Sequence, residues 1–191
     1  MFIQTEATPN PATLKFLPGR SVMQAGSADF PTAESAADVS PLARRIFAVD
    51  GVAGVFLGPD FVSVSKSDVV DWAHIKPAIL GAVMEHYHSG DPALAGDRVE
   101  SASGHEDHDG PDAEVVGQIK ELLDTRVRPA VAQDGGDITF HGYDGGVVYL
   151  AMKGACAGCP SSTMTLKHGI ENLLRHYIPE VMEVRPVGLE F

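Results

Sequence analysis

The sequence predicts an α+β protein made of two small α/β sandwich domains that are joined by a flexible acidic linker. The length of 191 residues suits one large domain or two small ones with a modest core each. The stretch 89–111 holds six acidic residues and one basic residue, and it shows neither helical nor strand periodicity. Strand and helix patterns recur on both sides of it. We therefore expect domains at 1–88 and 112–191 with the linker between them.

The N-terminal domain, which contains no cysteine, is predicted to consist of strands and helices. Residues 12–20 alternate as a strand does and stop at a Pro-Gly turn signal. The Ser-Pro pair at 40–41 supplies an N-cap and a first-turn proline for a helix over 41–49. Two β-rich runs around the turn tripeptide 58–60 predict an antiparallel hairpin. A second helix follows, with Pro77 predicted to start its main part, and its apolar face is formed by Trp72, Ile75, Ile79, Val83 and Tyr87.

The C-terminal domain is predicted to have the order helix, strand, strand, helix, strand. Apolar residues at helical spacing alternate with β-rich runs, and a Gly-rich turn separates the first two strands. This order indicates a two-layer sandwich with three strands and the helices on one side. The predicted elements are a helix over 112–127 that bends or ends near Pro129, strands over 138–141 and 147–152, a helix from Ser161 and a strand within 180–187.

Composition and charge exclude several classes of function. The net charge of -12 repels phosphate backbones and anionic membranes, so we expect neither nucleic acid nor membrane as a partner. The chain has no run of about 18 apolar residues that would span a bilayer. Its first residues show neither a secretory signal nor an organellar presequence, which predicts a cytoplasmic location, most simply a bacterial one, in a reducing compartment.

The two cysteines of the chain, Cys156 and Cys159, form a Cys-x-x-Cys motif between a predicted strand and a predicted helix. Pro160 follows at once and prefers the first helical position, so the thiols should lie at a helix N-terminus. The positive end of the helix dipole lowers the pKa of a cysteine placed there. Because the flanking residues are only Gly and Ala, we expect both sulfur atoms to be exposed.

Four interpretations of this motif compete. The first is that both cysteines are small buried residues without a chemical role, and it is disfavoured because a loop of Gly and Ala at a helix start provides no hydrophobic core. A thiol-disulfide oxidoreductase fits the position at a helix N-terminus, although this half of the chain has too few strands for a thioredoxin-like fold. A structural zinc ion wants four ligands, which would require two chains. An iron-sulfur cluster that is shared by two chains would receive its four thiolate ligands as two from each chain. No metal role is assigned to the imidazoles of the linker and of the C-terminal domain, which are His105, His108, His141, His168 and His176.

The motifs resemble a known family. The segments 134–137 (DGGD) and 148–175, which contains GACAGCPSSTMTLKHGIENLLR, resemble the C-terminal domain of NifU, which is found also in Nfu proteins. The segment 8–19 (TPNPATLKFLPG), the hairpin and the Trp72 region look like the Nfu N-terminal domain. The glycines of 134–137 are expected to supply positive φ at a strand entrance, and no catalytic duty is given to the two aspartates.

The resemblance implies a carrier of iron-sulfur clusters rather than an enzyme. A 4Fe-4S cluster, with 2Fe-2S as the alternative, would be bound by Cys156 and Cys159 from each protomer of a homodimer. It would come from an upstream scaffold or donor and pass to apo iron-sulfur proteins. No separate cysteine-rich scaffold domain is recognised in the chain, which favours relay over assembly. The N-terminal domain would then recognise partners or shield the site, while the linker lets it swing.

Overall fold

A five-stranded antiparallel sheet forms the N-terminal unit in this computed structural model, which describes residues 1–96, 112–157 and 160–187. The strand order is β1-β2-β5-β4-β3. Three helices accompany the sheet, and apolar side chains from strands and helices form one core. The elements are β1 (Gln4–Ala7), β2 (Thr13–Leu17), β3 (Ala28–Phe30), α1 (Ala33–Ala36), α2 (Pro41–Phe47), β4 (Val52–Leu57), β5 (Val62–Lys66) and α3 (Trp72–Ser89).

The predicted strand, the first helix and the hairpin of this unit are all confirmed. The strand predicted within 12–20 is β2, and the hairpin consists of β4 and β5, which pair antiparallel around residues 58–60. Ser40 caps α2, because its hydroxyl accepts a hydrogen bond from the Ala43 N–H at 3.0 Å. Elements β1, β3 and α1 are not predicted from the sequence, since they are only three or four residues long.

The predicted start of the second helix at Pro77 is wrong. Helix α3 begins at Trp72 and continues through Pro77 to Ser89. Its first turn is anchored by Ile75, which is buried, and by Trp72, whose indole N–H donates to the Pro11 carbonyl at 3.1 Å. Proline lacks an N–H for the carbonyl of Ala73, and that residue is exposed, so water can satisfy the carbonyl. Anchoring of the first turn therefore outweighs the local preference of proline for a helix start.

The C-terminal unit has the predicted order of helix, strand, strand, helix, strand. Its sheet has the order β6-β7-β8, with β6 and β7 antiparallel and β7 and β8 parallel. The side chains of Val148, Leu150 and Met152 alternate into the core, where they meet buried residues of the helices. The elements are α4 (Ala113–Leu122), a π-helical segment (Leu123–Val127), α5 (Arg128–Gln133), β6 (Gly136–Asp144), β7 (Val147–Gly154), α6 (Pro160–Tyr177) and β8 (Glu183–Val187).

The helix predicted over 112–127 or a little beyond continues to Gln133, because Pro129 does not end it. The backbone runs through a π-helical turn, in which the Arg128 N–H bonds to the Leu123 carbonyl, and continues to Gln133. Proline cannot supply the next helical hydrogen bond, and a change of helical pitch just before it accommodates that loss. The helix remains because its apolar side chains, including Val127 and Val131, are buried in the core.

The hairpin of this unit is tighter than predicted. Strands β6 and β7 extend to Asp144 and Val147, so Gly145 and Gly146 alone form the turn. Both have positive φ, 52° and 88°, which glycine adopts without strain and which suits the twist of a two-residue hairpin.

The chain divides into two compact units, Met1–Ala102 and Ser103–Phe191. The packed part of the first unit continues beyond residue 88, since the Ala95 N–H bonds to the Val39 carbonyl at 2.7 Å and Asp91 pairs with Arg45 at 2.7 Å. The rest of the predicted linker, 97–111, lies outside the described residues and includes His105 and His108. Among the described residues, no helix combines the length and apolar character that crossing a membrane requires.

Candidate functional site

The first cysteine of the motif lies directly after strand β7. Residues 154–157, which we call the cysteine loop, leave the strand at Gly154, whose φ of 65° turns the chain, and the Ala157 N–H bonds back to the Gly154 carbonyl at 3.1 Å. Helix α6 begins at Pro160. The motif is therefore placed between a strand and a helix, as the sequence predicts. Cys159 lies outside the described residues, so its position in the site stays a prediction.

The side chain of Cys156 is buried, with 6% of the residue exposed, which contradicts the expectation of an open sulfur. Its sulfur atom packs against Gly136 at the start of β6. A Cβ at residue 136 would meet this sulfur, and it would lie 2.8 Å from the Lys153 carbonyl oxygen and 3.0 Å from the Cys156 nitrogen. Small flanking residues thus had the opposite effect to the one predicted: they let the cysteine loop fold closely onto the neighbouring strand.

We call the position in which the cysteine loop packs against the start of β6 its closed position. Two hydrogen bonds hold the loop there. The Ala155 N–H donates to the Gly135 carbonyl at 3.2 Å, and the Thr163 hydroxyl of α6 donates to the Cys156 carbonyl at 3.2 Å. Gly135 has a φ of 81°, as predicted for a strand entrance, whereas Gly136 is required because a side chain would not fit. The loop is therefore secured on one side by residues 135–136 and on the other by α6.

Burial first, and then the negative charges of Asp134 and Asp137, raise the pKa of the Cys156 thiol to about 12. The prediction of a lowered pKa at a helix N-terminus is wrong for this cysteine. The helix dipole acts on groups within the first turn, but Cys156 precedes α6 by four residues and is turned into the protein. In the closed loop it is consequently a protonated thiol.

The second aspartate of the 134–137 segment, whose side chain is buried, forms an ion pair with a partly exposed arginine that the sequence did not indicate. The Arg128 guanidinium donates from Nε to Asp137 Oδ1 and from Nη2 to Asp137 Oδ2, both at 2.9 Å. The same Asp137 oxygen Oδ1 accepts the Ile138 N–H at 2.8 Å. Arg128 also donates to Asp124 at 3.1 Å, and its two carboxylate partners raise the pKa of the guanidinium. The only sequence signal was Asp137 itself, placed at a strand entrance.

Cys156 does not belong to a cluster of three or more potential metal ligands within the part of the chain that the structure describes. His141, His168 and His176 are exposed on a strand and on α6. Across the described ranges, no three His, Cys, Asp or Glu side chains converge as a metal site would need. The described residues therefore provide one thiol in a small loop and no complete coordination sphere.

Both halves of the chain match known protein families. Residues 3–90 match the family described as "Scaffold protein Nfu/NifU N terminal", and residues 119–185 match the "NifU-like domain". Two α+β units, of which the second carries a thiol loop between strand and helix, thus correspond to the two domains of a class of scaffold proteins.

Curated relatives agree along almost the whole chain. It is 54% identical over 189 residues to NifU-like protein 5, mitochondrial, of Arabidopsis thaliana, which covers 96% of this chain and 67% of that protein. It is 48% identical over 188 residues to the NFU1 iron-sulfur cluster scaffold homolog, mitochondrial, of Homo sapiens, covering 98% and 72%. A solution NMR structure of a NifU-like protein from Saccharomyces cerevisiae is 29% identical, covers 50% of this chain and 85% of that chain, and has a TM-score of 0.45. The chain belongs to the Nfu/NifU family.

The relatives also correct the predicted location. The expectation of a bacterial cytoplasmic protein is wrong, because the similar proteins of Arabidopsis thaliana and Homo sapiens are named as mitochondrial. The chain spans about two thirds of the length of these relatives.

Proposed function

We propose that this protein carries iron-sulfur clusters during their assembly, in mitochondria, and delivers them to apo-proteins without catalysing a reaction of its own. The observation that carries the proposal is the Cys-x-x-Cys motif, placed between β7 and α6 of a NifU-like domain. The human relative is named as an iron-sulfur cluster scaffold homolog, which supports the same role. Soft thiolate ligands suit iron-sulfur clusters.

The number of thiols leads to a second copy of the chain. Each chain has two cysteines, Cys156 and Cys159, whereas a 4Fe-4S cluster takes four thiolate ligands. Two protomers related by a twofold axis supply four equivalent ligands, so the cluster is the cargo of a homodimer. A 2Fe-2S cluster would use the same four sulfurs and is the alternative cargo.

Closure of the cysteine loop bears on how such a cargo is taken up and released. A thiol must lose its proton to bind iron, and the buried Cys156 thiol in the closed loop holds its proton strongly. Loading therefore requires the loop to leave residues 135–136 and expose the sulfur. Return of the loop to the closed position favours release, because it withdraws one of the two ligands that each protomer provides. Thiolates of an acceptor can then replace the protein ligands one at a time.

Anaerobic reconstitution tests this function directly. The 191-residue chain, supplied with iron and sulfide, should become a coloured dimer with about four irons per pair of chains. Cys156→Ser and Cys159→Ser should each abolish the colour. Met164→Ala is the matched control, because it removes an exposed thioether sulfur from α6 and should leave the bound iron unchanged. A holo form that is monomeric, or a coloured Cys156→Ser variant, would contradict the proposal.

A thiol-disulfide oxidoreductase is the competing function, and the site disfavours it. Such an enzyme needs an accessible thiolate, whereas the described cysteine is buried and its pKa is raised. Reduction of insulin by the apo-protein with dithiothreitol separates the two functions. We expect no acceleration over dithiothreitol alone, while a thioredoxin-like rate would favour the oxidoreductase.

A further inference from the structure

The ion pair between Arg128 and Asp137 has the geometry of a fixed brace. Two parallel N–H to oxygen bonds of 2.9 Å join the guanidinium to the carboxylate, and the side chain of Asp137 is only 8% exposed. A bidentate arginine-carboxylate pair is both stronger and more directional than a single contact. It joins the first residue of α5 to the second residue of β6.

The position of Arg128 depends on the π-helical segment that precedes it. The i to i-5 bond from the Arg128 N–H to the Leu123 carbonyl closes this segment, and Val127 beside it is buried in the core. Asp124, one turn earlier, binds the Nη1 atom of the same guanidinium. The arginine is therefore held at both its backbone and its side chain, and its fork is aimed at β6.

The brace lies next to the residues that shelter the cysteine. Asp137 pairs with Lys153 across the β6–β7 ladder, and the preceding residue, Gly136, pairs with Gly154, the first residue of the cysteine loop. The Asp137 carboxylate also accepts a hydrogen bond from the Ile138 N–H at the start of β6. A displacement of Asp137 thus moves Gly136, which contacts the Cys156 sulfur.

We propose that Arg128 and Asp137 are positioning residues for the cysteine loop, holding the start of β6 where it closes over Cys156. The proposal rests on the proposed function in so far as Cys156 is a cluster ligand. Without Arg128, the buried carboxylate of Asp137 has lost its bidentate partner and gains from hydration. The start of β6 then opens locally, the loop loses its support, and the sulfur becomes accessible in an otherwise folded protein.

Alkylation of Cys156 measures this opening without any cluster. The starting protein is the 191-residue apo-chain with Cys159→Ser, so that Cys156 is its only thiol. Iodoacetamide alkylates this thiol, and the alkylation rate of each folded variant is divided by the alkylation rate of the same variant unfolded in urea. Arg128→Gln should raise this ratio at least about tenfold. Arg128→Lys keeps the positive charge but cannot form the bidentate hydrogen bonds of a guanidinium, so it should raise the ratio by an intermediate amount. The control is Arg175→Gln, which removes an exposed guanidinium of α6 from its ion pair with Glu171 and should leave the ratio unchanged.

The urea dependence of the rate separates a positioning role from a purely structural one. Local opening exposes little surface, so the rate for Arg128→Gln should be nearly independent of urea at low concentrations. A rate that rises steeply with urea from the lowest concentrations would show that the cysteine reacts only after global unfolding, and would overturn the proposal. So would a ratio equal to that of the Arg175→Gln control. If Arg128→Gln does not fold, the ratio for Arg128→Lys decides in the same way.

Reconstitution provides a second readout and keeps the two proposals apart. With both cysteines present, Arg128→Gln should bind the cluster and lose it to a chelator more slowly than the parent chain, because the closed position that favours release is destabilised. If the parent chain binds no cluster, the proposed function fails while the alkylation result still tests the brace. If the parent binds a cluster and Arg128→Gln is alkylated at the parental rate, the brace fails and the function stands.

Discussion

Replacement of Gly136 by alanine tests the close packing between β6 and the cysteine loop. The added Cβ would touch the Cys156 sulfur, and it would lie 2.8 Å from the Lys153 carbonyl oxygen and 3.0 Å from the Cys156 nitrogen. Two of these three atoms belong to the backbone and cannot rotate away, so strand and loop must separate. The φ of Gly136 is not positive, and the effect is therefore steric rather than conformational.

The expected magnitude follows from the cost of overpacking. Insertion of a methyl group into a site without room costs about 1–3 kcal/mol. For a unit of 60–100 residues, each kcal/mol lowers the midpoint of thermal unfolding by roughly 4–8 °C. With about 2 kcal/mol, the C-terminal unit of Gly136→Ala should melt roughly 8–16 °C below the parent. Alkylation of Cys156 should also accelerate, because the loop can no longer close.

Thermal unfolding of the 191-residue apo-protein, followed by circular dichroism and by fluorescence, measures both units. Trp72 is the only tryptophan of the chain and belongs to the N-terminal unit, so its transition is an internal control that should not move. Gly169→Ala is the matched variant, since a Cβ there meets nothing within 4 Å in the interior of α6. It should stabilise the C-terminal unit by about 1 kcal/mol. A Gly136→Ala protein as stable as the parent would refute the packing argument.

Two further predictions concern pH. His86 is buried in the N-terminal unit, and its pKa is lowered from 6.5 first by burial and then by the positive charge of Arg45. The unfolded chain then binds more protons below pH 6.5, so stability against urea, followed by the single tryptophan, should fall as the pH drops through this value. His86→Leu should abolish this dependence and exposed His88→Leu should preserve it; a dependence that survives in both would exclude His86 as its source. With the second cysteine replaced by serine, the alkylation rate of native Cys156 should keep rising above pH 9.0, because its pKa is about 12. A plateau near pH 9.0 would mean that the thiol is not sheltered.

Most elements of the fold could be predicted because their signals are local. Alternation marks β2, apolar periodicity marks α6, and the Ser40-Pro41 pair marks the start of α2, each within a few residues of the chain. The prolines were harder to interpret. Pro77 and Pro129 both lie inside helical stretches, since burial of the neighbouring apolar side chains outweighs the missing backbone bond.

The candidate site could likewise be predicted only in part. Its place in the chain, between a strand and a helix, could be predicted from the residues that flank the motif. The shelter around Cys156 could not be predicted, because it is made by Gly136 and by the Arg128–Asp137 pair, which are distant in sequence from the loop. Small residues beside a cysteine are compatible with exposure or with close packing, and only the position of β6 decides between the two.

The sequence by itself determined the types of the longer elements and the number of thiols, since these depend on composition and on contacts between near neighbours. Tertiary structure alone decided that Cys156 is buried, that its pKa is raised and that an arginine of the preceding helix braces the strand beside it. Burial and charge pairing are properties of residues brought together from separate segments, and only the folded packing of β6, β7 and the helices brings them together.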